Sequence, residues 1–237
     1  MAEGIPQRPF APPAGATEVI LVRHGASAHA FPDQPFPLVG GQSDPELAPE
    51  GEAQAEALVD RLAAEPLAAL FVTPLRRTQQ TAAPLAARLS IEPVMVPELV
   101  EIALGDFEGG QWRVRAANGD PLVARVFEEQ RWDVIPNAEP VEVYTRRLRA
   151  GIDRVVAVAG PDTVVAAFSH GAAIAEICHQ ATDSRPFAFV TVDNASITRL
   201  VVLADGSWVL RSFNDTAHLS QRAGARAISG SPRSCAS

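Results

Sequence analysis

A chain of 237 residues, 47% of them hydrophobic, is long enough to bury the core of one domain of ordinary-to-large size. Its net charge of −8 argues against nucleic acid and anionic membrane surfaces as partners, and an anionic substrate would need local arginines to overcome the overall field. No apolar run approaches membrane-spanning length and the Pro- and Ala-rich N-terminus lacks the apolar core of a secretion signal, so a soluble cytoplasmic protein is expected.

Residues 1–16 carry Pro6, Pro9, Pro12 and Pro13 with Gly4 and Gly15, and read as a flexible lead-in to a domain expected over 17–219. The run Val19-Ile20-Leu21-Val22 reads as a buried strand at about 18–23 of the parallel type. It delivers Arg23-His24-Gly25 to its C-terminal end, where open α/β sheets place their sites. Gly25 lets the backbone turn sharply or approach a ligand closely. The following loop holds Pro32, Pro35, Pro37, Gly40 and Gly41 and looks too irregular for a regular element. Pro49, Glu50 and Glu52 suit the start of a helix over about 49–64, with Ala55, Leu58, Val59 and Leu62 as its buried stripe.

A strand from Ala68 to Val72 precedes Thr73-Pro74 and a helix at about 75–88. Pro84 inside that pattern predicts a kink or an early end. A short strand follows at about 93–96, then a mixed segment over 97–137 with short helices at about 109–117 and 121–130. Val141, Tyr144, Leu148, Ile152 and Val155 share one face of a helix at about 139–159. A strand from Thr163 to Phe168 then delivers Ser169-His170-Gly171 to a helix that ends near 181 and contains Cys178. Asp205-Gly206 joins two β-rich runs, about 196–204 and 207–213, as a hairpin. The Ser/Ala/Arg-rich tail over 220–237, with Cys235, reads as disordered. The two cysteines form no CxxC pair and read as unpaired thiols. Strands alternating with helices predict an α/β fold, a three-layer α/β/α sandwich with a mainly parallel central sheet.

Four pieces carry candidate chemistry: Arg23-His24-Gly25, the Arg76-Arg77 segment, Glu101 and Ser169-His170-Gly171. Singly each has a plain structural explanation: a surface arginine pair, a surface carboxylate, a satisfied core histidine. Together, two histidines and two arginines at strand ends and helix starts can converge on one anion. Helix N-termini add N–H donors to such a pocket, and arginine forks match phosphate oxygens.

The pattern resembles the histidine phosphatase superfamily, also called phosphoglycerate mutase-like, from about Val19 to Leu219. The matching pieces are Leu21-Val22-Arg23-His24-Gly25, the segment from Asp44 through Leu47 and Gly51 to Gln54-Ala55, and Thr73-Pro74-Leu75-Arg76-Arg77-Thr78-Gln79-Gln80-Thr81-Ala82. Glu101 with the following Gly105-to-Gly109 run, Glu139, Phe168-Ser169-His170-Gly171 and Asn214 to Leu219 complete the order. The resemblance implies that His24 attacks phosphorus and becomes a phosphohistidine. It implies that Arg23, Arg77 and His170 stabilise the transferring phosphoryl oxygens, and that Glu101 protonates the leaving oxygen and then activates water. It assigns Ser27, Gln42 and Gly171 to substrate binding, and it implies no metal and no cofactor. The implied function is hydrolysis of a small phosphorylated metabolite, and a homodimer is compatible with it.

The chain departs from that pattern at Ala26, at Ala30 (where the family has a phosphate-holding Asn) and at Gly40, with Gln42 or His29 as candidate substitutes. Phe31, Phe36, Phe107, Trp112, Arg113 and Arg115 are candidates for the pocket rim, and an inward Arg113 or Arg115 would imply a second acidic group on the substrate. Hydrolysis is favoured over a phosphoglycerate mutase-type transfer because the segment from Glu101 to Asn137 is short and lysine-free. A non-catalytic phosphate-binding or interaction module would have no need of an acid at Glu101. A metal-dependent hydrolase built on His24, His170, Asp44 and Glu101 lacks metal-ligand spacing such as HExxH.

Overall fold

The structure, a computed structural model, describes residues 6–219. The expected disordered tail, with Cys235, and the first five residues of the lead-in lie outside the described residues. From Pro6 to Ala14 the chain is exposed and has no helix or strand.

In chain order the elements are β1 (Thr17–Arg23), β2 (Leu38–Val39), β3 (Gln42–Ser43), α1 (Pro49–Leu62), β4 (Leu67–Val72), α2 (Arg76–Leu89), β5 (Val94–Met95), α3 (Gln111–Ala117), α4 (Pro121–Glu129), α5 (Val141–Ala159), β6 (Thr163–Ser169), α6 (Gly171–Thr182), β7 (Ile197–Val202) and β8 (Trp208–Asp215). Single 3₁₀ turns at Pro97–Leu99, Gly105–Phe107 and Trp132–Val134 punctuate the segment between β5 and α5.

Six strands form one sheet in the order β5-β4-β6-β1-β7-β8. The pairs β5/β4, β4/β6 and β6/β1 are parallel, and β7 runs antiparallel to both of its neighbours, so it alone is reversed. β1 shows why the sheet is buried on both faces. Val19 and Leu21 pack on one side with Tyr144, Leu148, Ile152 and Ile177, from α5 and α6. Ile20 and Val22 pack on the other with Leu58, Leu62, Ala82 and Leu85, from α1 and α2. This is the three-layer α/β/α arrangement, and the continuous apolar run is its signature. A satellite core of Phe107, Val126 and Ile135 lies under the segment between β5 and α5.

The architecture corrects three local expectations. Residues 38–43 are not irregular: β2 and β3 pair through Gly40 (φ +58°) and Gly41 (φ +85°), a two-residue turn that needs positive φ at both positions. α2 does not end at Pro84 but continues to Leu89. Pro84 is only half-buried, so water can serve the carbonyl that its missing N–H leaves free. Gly25 is required for close approach, but to the chain itself. A Cβ there would lie 2.5 Å from the Gly51 carbonyl oxygen at the start of α1. Cys178 is free and buried, and burial pushes its thiol up to about 12.

Candidate active site

β4, β6 and β1 are adjacent, and their C-terminal ends meet at the point where the covering helices switch face. The helices that follow β1 and β4 pack on one side of the sheet, and α6, which follows β6, packs on the other. Open α/β sheets bind ligands in the crevice at such a switch point. Each strand end contributes one part. Arg23 pairs in register with Ser169, and the His24 N–H donates to the Ser169 carbonyl at 3.0 Å. The rings of His24 and His170 therefore meet edge to face, with centroids 5.3 Å apart.

His24 Nδ1 lies 2.7 Å from the Gly25 carbonyl oxygen. A carbonyl only accepts, so Nδ1 carries the proton and Nε2 is the unprotonated nitrogen of the ring that lines the pocket. His170 Nε2 is 2.9 Å from Thr73 Oγ1 at the end of β4, and its buried Nδ1 has no partner among the described residues. Burial, and next the charge of Arg77, hold both imidazoles well below the ordinary value of 6.5. Arg23 lowers His24 further, and each ring stays neutral near pH 7.

Arg23 donates from Nη1 to the Val192 carbonyl, and Arg77 donates from Nη1 to the Ser43 carbonyl at 2.7 Å. Desolvation lowers both guanidiniums, Arg77 to about 10, so both stay charged at neutral pH. The adjacent Arg76 is spent elsewhere: its Nε and backbone N–H bind the two oxygens of the Asp44 carboxylate at 3.0 and 2.7 Å. Glu101 closes the site from the segment after β5. Its Oε2 accepts from Ala172 N–H, and its Oε1 from Ala173 and Ile102 N–H, all at 3.1 Å, which fastens it to the start of α6.

Arg23, His24, Arg77 and Glu101 line one cavity of about 230 Å³, together with Gln42, Glu108, Gly171, Arg113 and an apolar wall that includes Phe36, Phe107, Trp112 and Trp132; His170 is fully buried behind His24 and does not line it. Gln42 donates from Nε2 to the Glu101 carbonyl and ties that segment to β3. A Cβ at Gly171 would meet the Arg23 Nε at 3.3 Å, so a small residue there leaves room for the guanidinium. Ser27 is buried but does not line the cavity; its hydroxyl accepts from Arg113 Nη2 at 2.7 Å. Of the two rim arginines, Arg113 lines the cavity. Arg115 pairs with Asp120 at 2.9 Å and stacks 4.6 Å from the Phe107 ring centroid, away from it. Phe31 and His29 are exposed.

Sequence reasoning missed two residues. Thr73, within the segment that carries Arg77, orients His170. Arg147 on α5 binds Glu139 through Nε and Nη2, both at 2.7 Å. Its other donors reach the carbonyls of Glu98, Val100 and Glu101, the chain that carries the Glu101 carboxylate. No spacing rule links residue 147 to residue 101; only the fold does. Among the described residues no three His, Cys, Asp or Glu side chains group as a metal site requires, and no helix is long and apolar enough to cross a membrane.

An α/β sheet whose switch-point crevice presents a neutral His24 beside Arg23 and Arg77, neither of them in an ion pair among the described residues, defines an anion-handling site. The chain belongs to the histidine phosphatase superfamily (branch 1), whose family model matches residues 19–216. It is 31% identical over 220 residues to the "Probable phosphoglycerate mutase GpmB" of Yersinia enterocolitica, covering 85% of this chain and 94% of that one. It is 27% identical over 207 residues to the metal-independent phosphoserine phosphatase of Arabidopsis thaliana, covering 86% and 84%. The fold is shared with the crystal structure of phosphoglycerate mutase from Bacillus anthracis str. Sterne, with a TM-score of 0.69 and 21% identity over 88% of this chain and 97% of that one.

Proposed function

We propose that the protein is a metal-independent phosphomonoesterase that hydrolyses a small phosphorylated metabolite through a phosphohistidine on His24. The observation that carries this reading is the state of His24: neutral, with Nδ1–H committed to the Gly25 carbonyl and Nε2 free on a cavity that also holds Arg23, Arg77 and Glu101. A neutral imidazole with its free nitrogen toward a phosphate is a nucleophile. Nε2 forms a bond to phosphorus as the ester P–O bond breaks, and Glu101 gives its proton to the departing oxygen. Arg23 and Arg77 neutralise the charge on the transferring oxygens, and a Nδ1-protonated His170 adds a further donor. Water then attacks the phosphohistidine and returns a proton to Glu101, and the P–N bond breaks, which releases inorganic phosphate and restores His24.

The test is hydrolysis of p-nitrophenyl phosphate from acidic to neutral pH, with EDTA present, by wild type and His24→Ala. The expected result is activity that EDTA spares and that His24→Ala removes. Activity abolished by EDTA, or unchanged in His24→Ala, overturns the mechanism. A mutase draws on the likeness to the Yersinia protein. It would move label from one phosphoester to another and release little phosphate to water.

A further inference from the structure

Three guanidinium groups open onto the cavity, those of Arg23, Arg77 and Arg113. Each is bonded to neutral oxygens: Arg23 to the Val192 carbonyl, Arg77 to the Ser43 carbonyl, and Arg113 to the Ala28 carbonyl at 2.9 Å and Ser27 Oγ at 2.7 Å. Among the described residues, none of the three has a carboxylate within ion-pair distance. The two carboxylates that share the cavity are bonded to backbone N–H groups, with Ser43 Oγ also on Glu108.

The three are not equivalent. Glu101 attracts both Arg23 and Arg77 across the cavity. At Arg113 burial is the cause of the lowering, and the charge of Arg113 in turn lowers Arg23 and Arg77. Arg113 is exposed at the cavity mouth, and with no acidic partner among the described residues and two other arginines beside it, it is open to a ligand's negative charge. Its bonds to Ser27 and Ala28 use two of five N–H donors and fix the fork without neutralising it.

Its position says which part of a ligand it meets. Arg23 and Arg77 sit at strand and helix ends on the floor beside His24. Arg113 stands on α3, one turn beyond Gly110, among the aromatic residues that would surround the leaving group. The close packing of α3 onto the loop puts it there: a Cβ at Gly110 would lie 3.1 Å from the Ala30 Cβ and 3.0 Å from the Phe36 ring.

We propose that the substrate is a small phosphomonoester whose leaving group carries a second anion, a carboxylate or another phosphoryl group, and that Arg113 binds that second anion. This rests on the phosphatase reading above. The aromatic side chains on the same wall lower the local dielectric, which strengthens a charge-assisted bond made there.

The experiment compares esters that differ in one group: 3-phosphoglycerate with glycerol 3-phosphate, and 2-phosphoglycolate with ethyl phosphate. The quantity read is the ratio of kcat/KM for the acidic ester to that for its neutral partner, in wild type, Arg113→Gln and Arg113→Met. A ratio taken within one variant is unaffected by the fraction of protein that folds. The expected ratio is tenfold or more in wild type for at least one pair, and it falls at least tenfold in both variants. A ratio that stays within twofold of wild type for both pairs overturns the proposal. So does an equal loss on acidic esters, neutral esters and p-nitrophenyl phosphate, which would put Arg113 on the transferring phosphoryl group. If wild type hydrolyses none of these esters, the phosphatase reading fails. The same ratio is then read as calorimetric affinity in a His24→Asn background, where tighter binding of the acidic partner that is lost in His24→Asn/Arg113→Gln supports the subsite, and equal binding overturns it.

Discussion

The floor of the cavity and its cap are built differently. The floor is the meeting of β1, β6 and β4, and its groups are held by the sheet itself. His24 hangs between the Ser169 carbonyl and the Gly25 carbonyl, and His170 is fixed by Thr73. The cap runs from Pro97 to Pro140. It has short helices, a satellite core of Phe107, Val126 and Ile135, and a seven-residue α3 with no fully buried residue. In the proposed reaction the floor carries the groups that act on any phosphoryl group. The cap carries those that meet the rest of the molecule: Arg113, Trp112 and Trp132. Chemistry rests on the rigid layer and selectivity on the smaller one, which can change without disturbing the sheet.

Glu101 is the exception, a reactive group of the floor supplied by the cap. The first prediction breaks that link. Arg147 uses all five of its donors to tie Glu139 and the carbonyls of Glu98, Val100 and Glu101 to α5. Arg147→Ala is expected to lower kcat about 10²-fold, the scale of a misplacement near 1 Å, with KM moved far less. The limb of the pH–rate profile that reports the general acid is expected to move with it, and a purely structural loss would leave that limb in place. Arg147→Lys restores only part of the rate, because an ammonium cannot reproduce the fork. A kcat within twofold of wild type, with the protein folded, would show that the segment holds Glu101 without the clamp.

The floor was largely legible in the sequence and the cap was not, for a physical reason. A buried strand with helices on both faces reads as an unbroken apolar run. Residues at its end are next to it in the chain, so Arg23, His24 and His170 announce themselves. Arg77 follows β4 within one turn of α2 in the same way. Glu101, taken alone, reads as a surface carboxylate because no regular element delivers it, and only the resemblance gives it a role. The Arg147 clamp spans 46 positions to Glu101 and leaves no local pattern. Arg113 and Arg115 looked alike as rim candidates, and only the packing of α3 on Ala30 and Phe36 separates them. The β2/β3 pair left no periodicity to read, because each strand is two residues long and lies among prolines.

The second prediction concerns the floor's dependence on neutral histidines. Both His24 and His170 are held below the ordinary 6.5, chiefly by burial. Below pH 6.5 the unfolded chain takes up protons that the native state refuses. Stability therefore falls as pH drops from 6.5 toward the native values, by up to about 1.4 kcal/mol per pH unit for each histidine. Paired carboxylates such as Glu65, lowered from 4.5, lose their contribution only at more acidic pH, so the window from about 6.5 to 5 isolates the histidines. Urea unfolding across that window is expected to show a shallower slope in His24→Asn than in wild type. Equal slopes would mean that His24 is protonated in the native state.

The smallest effect sharpens the comparison inside the cap. Arg113 and Arg115 are two residues apart on α3, and positions i and i+2 of a helix face different directions. Arg113 meets the cavity; Arg115 meets Asp120 and the face of Phe107. Arg115→Ala removes a partly exposed ion pair and a stacking contact, both of small worth. The unfolding midpoint is expected to drop by about 2–4 °C, with kcat and KM for acidic and neutral esters alike unchanged within twofold. The contrast with Arg113→Gln matters because both changes delete one positive charge from the same helix. If substrate preference followed the overall charge of the cap, the two variants would shift it alike. A shift confined to Arg113 assigns it to one guanidinium and its direct reach into the cavity, since long-range attraction from the cap as a whole would act on both.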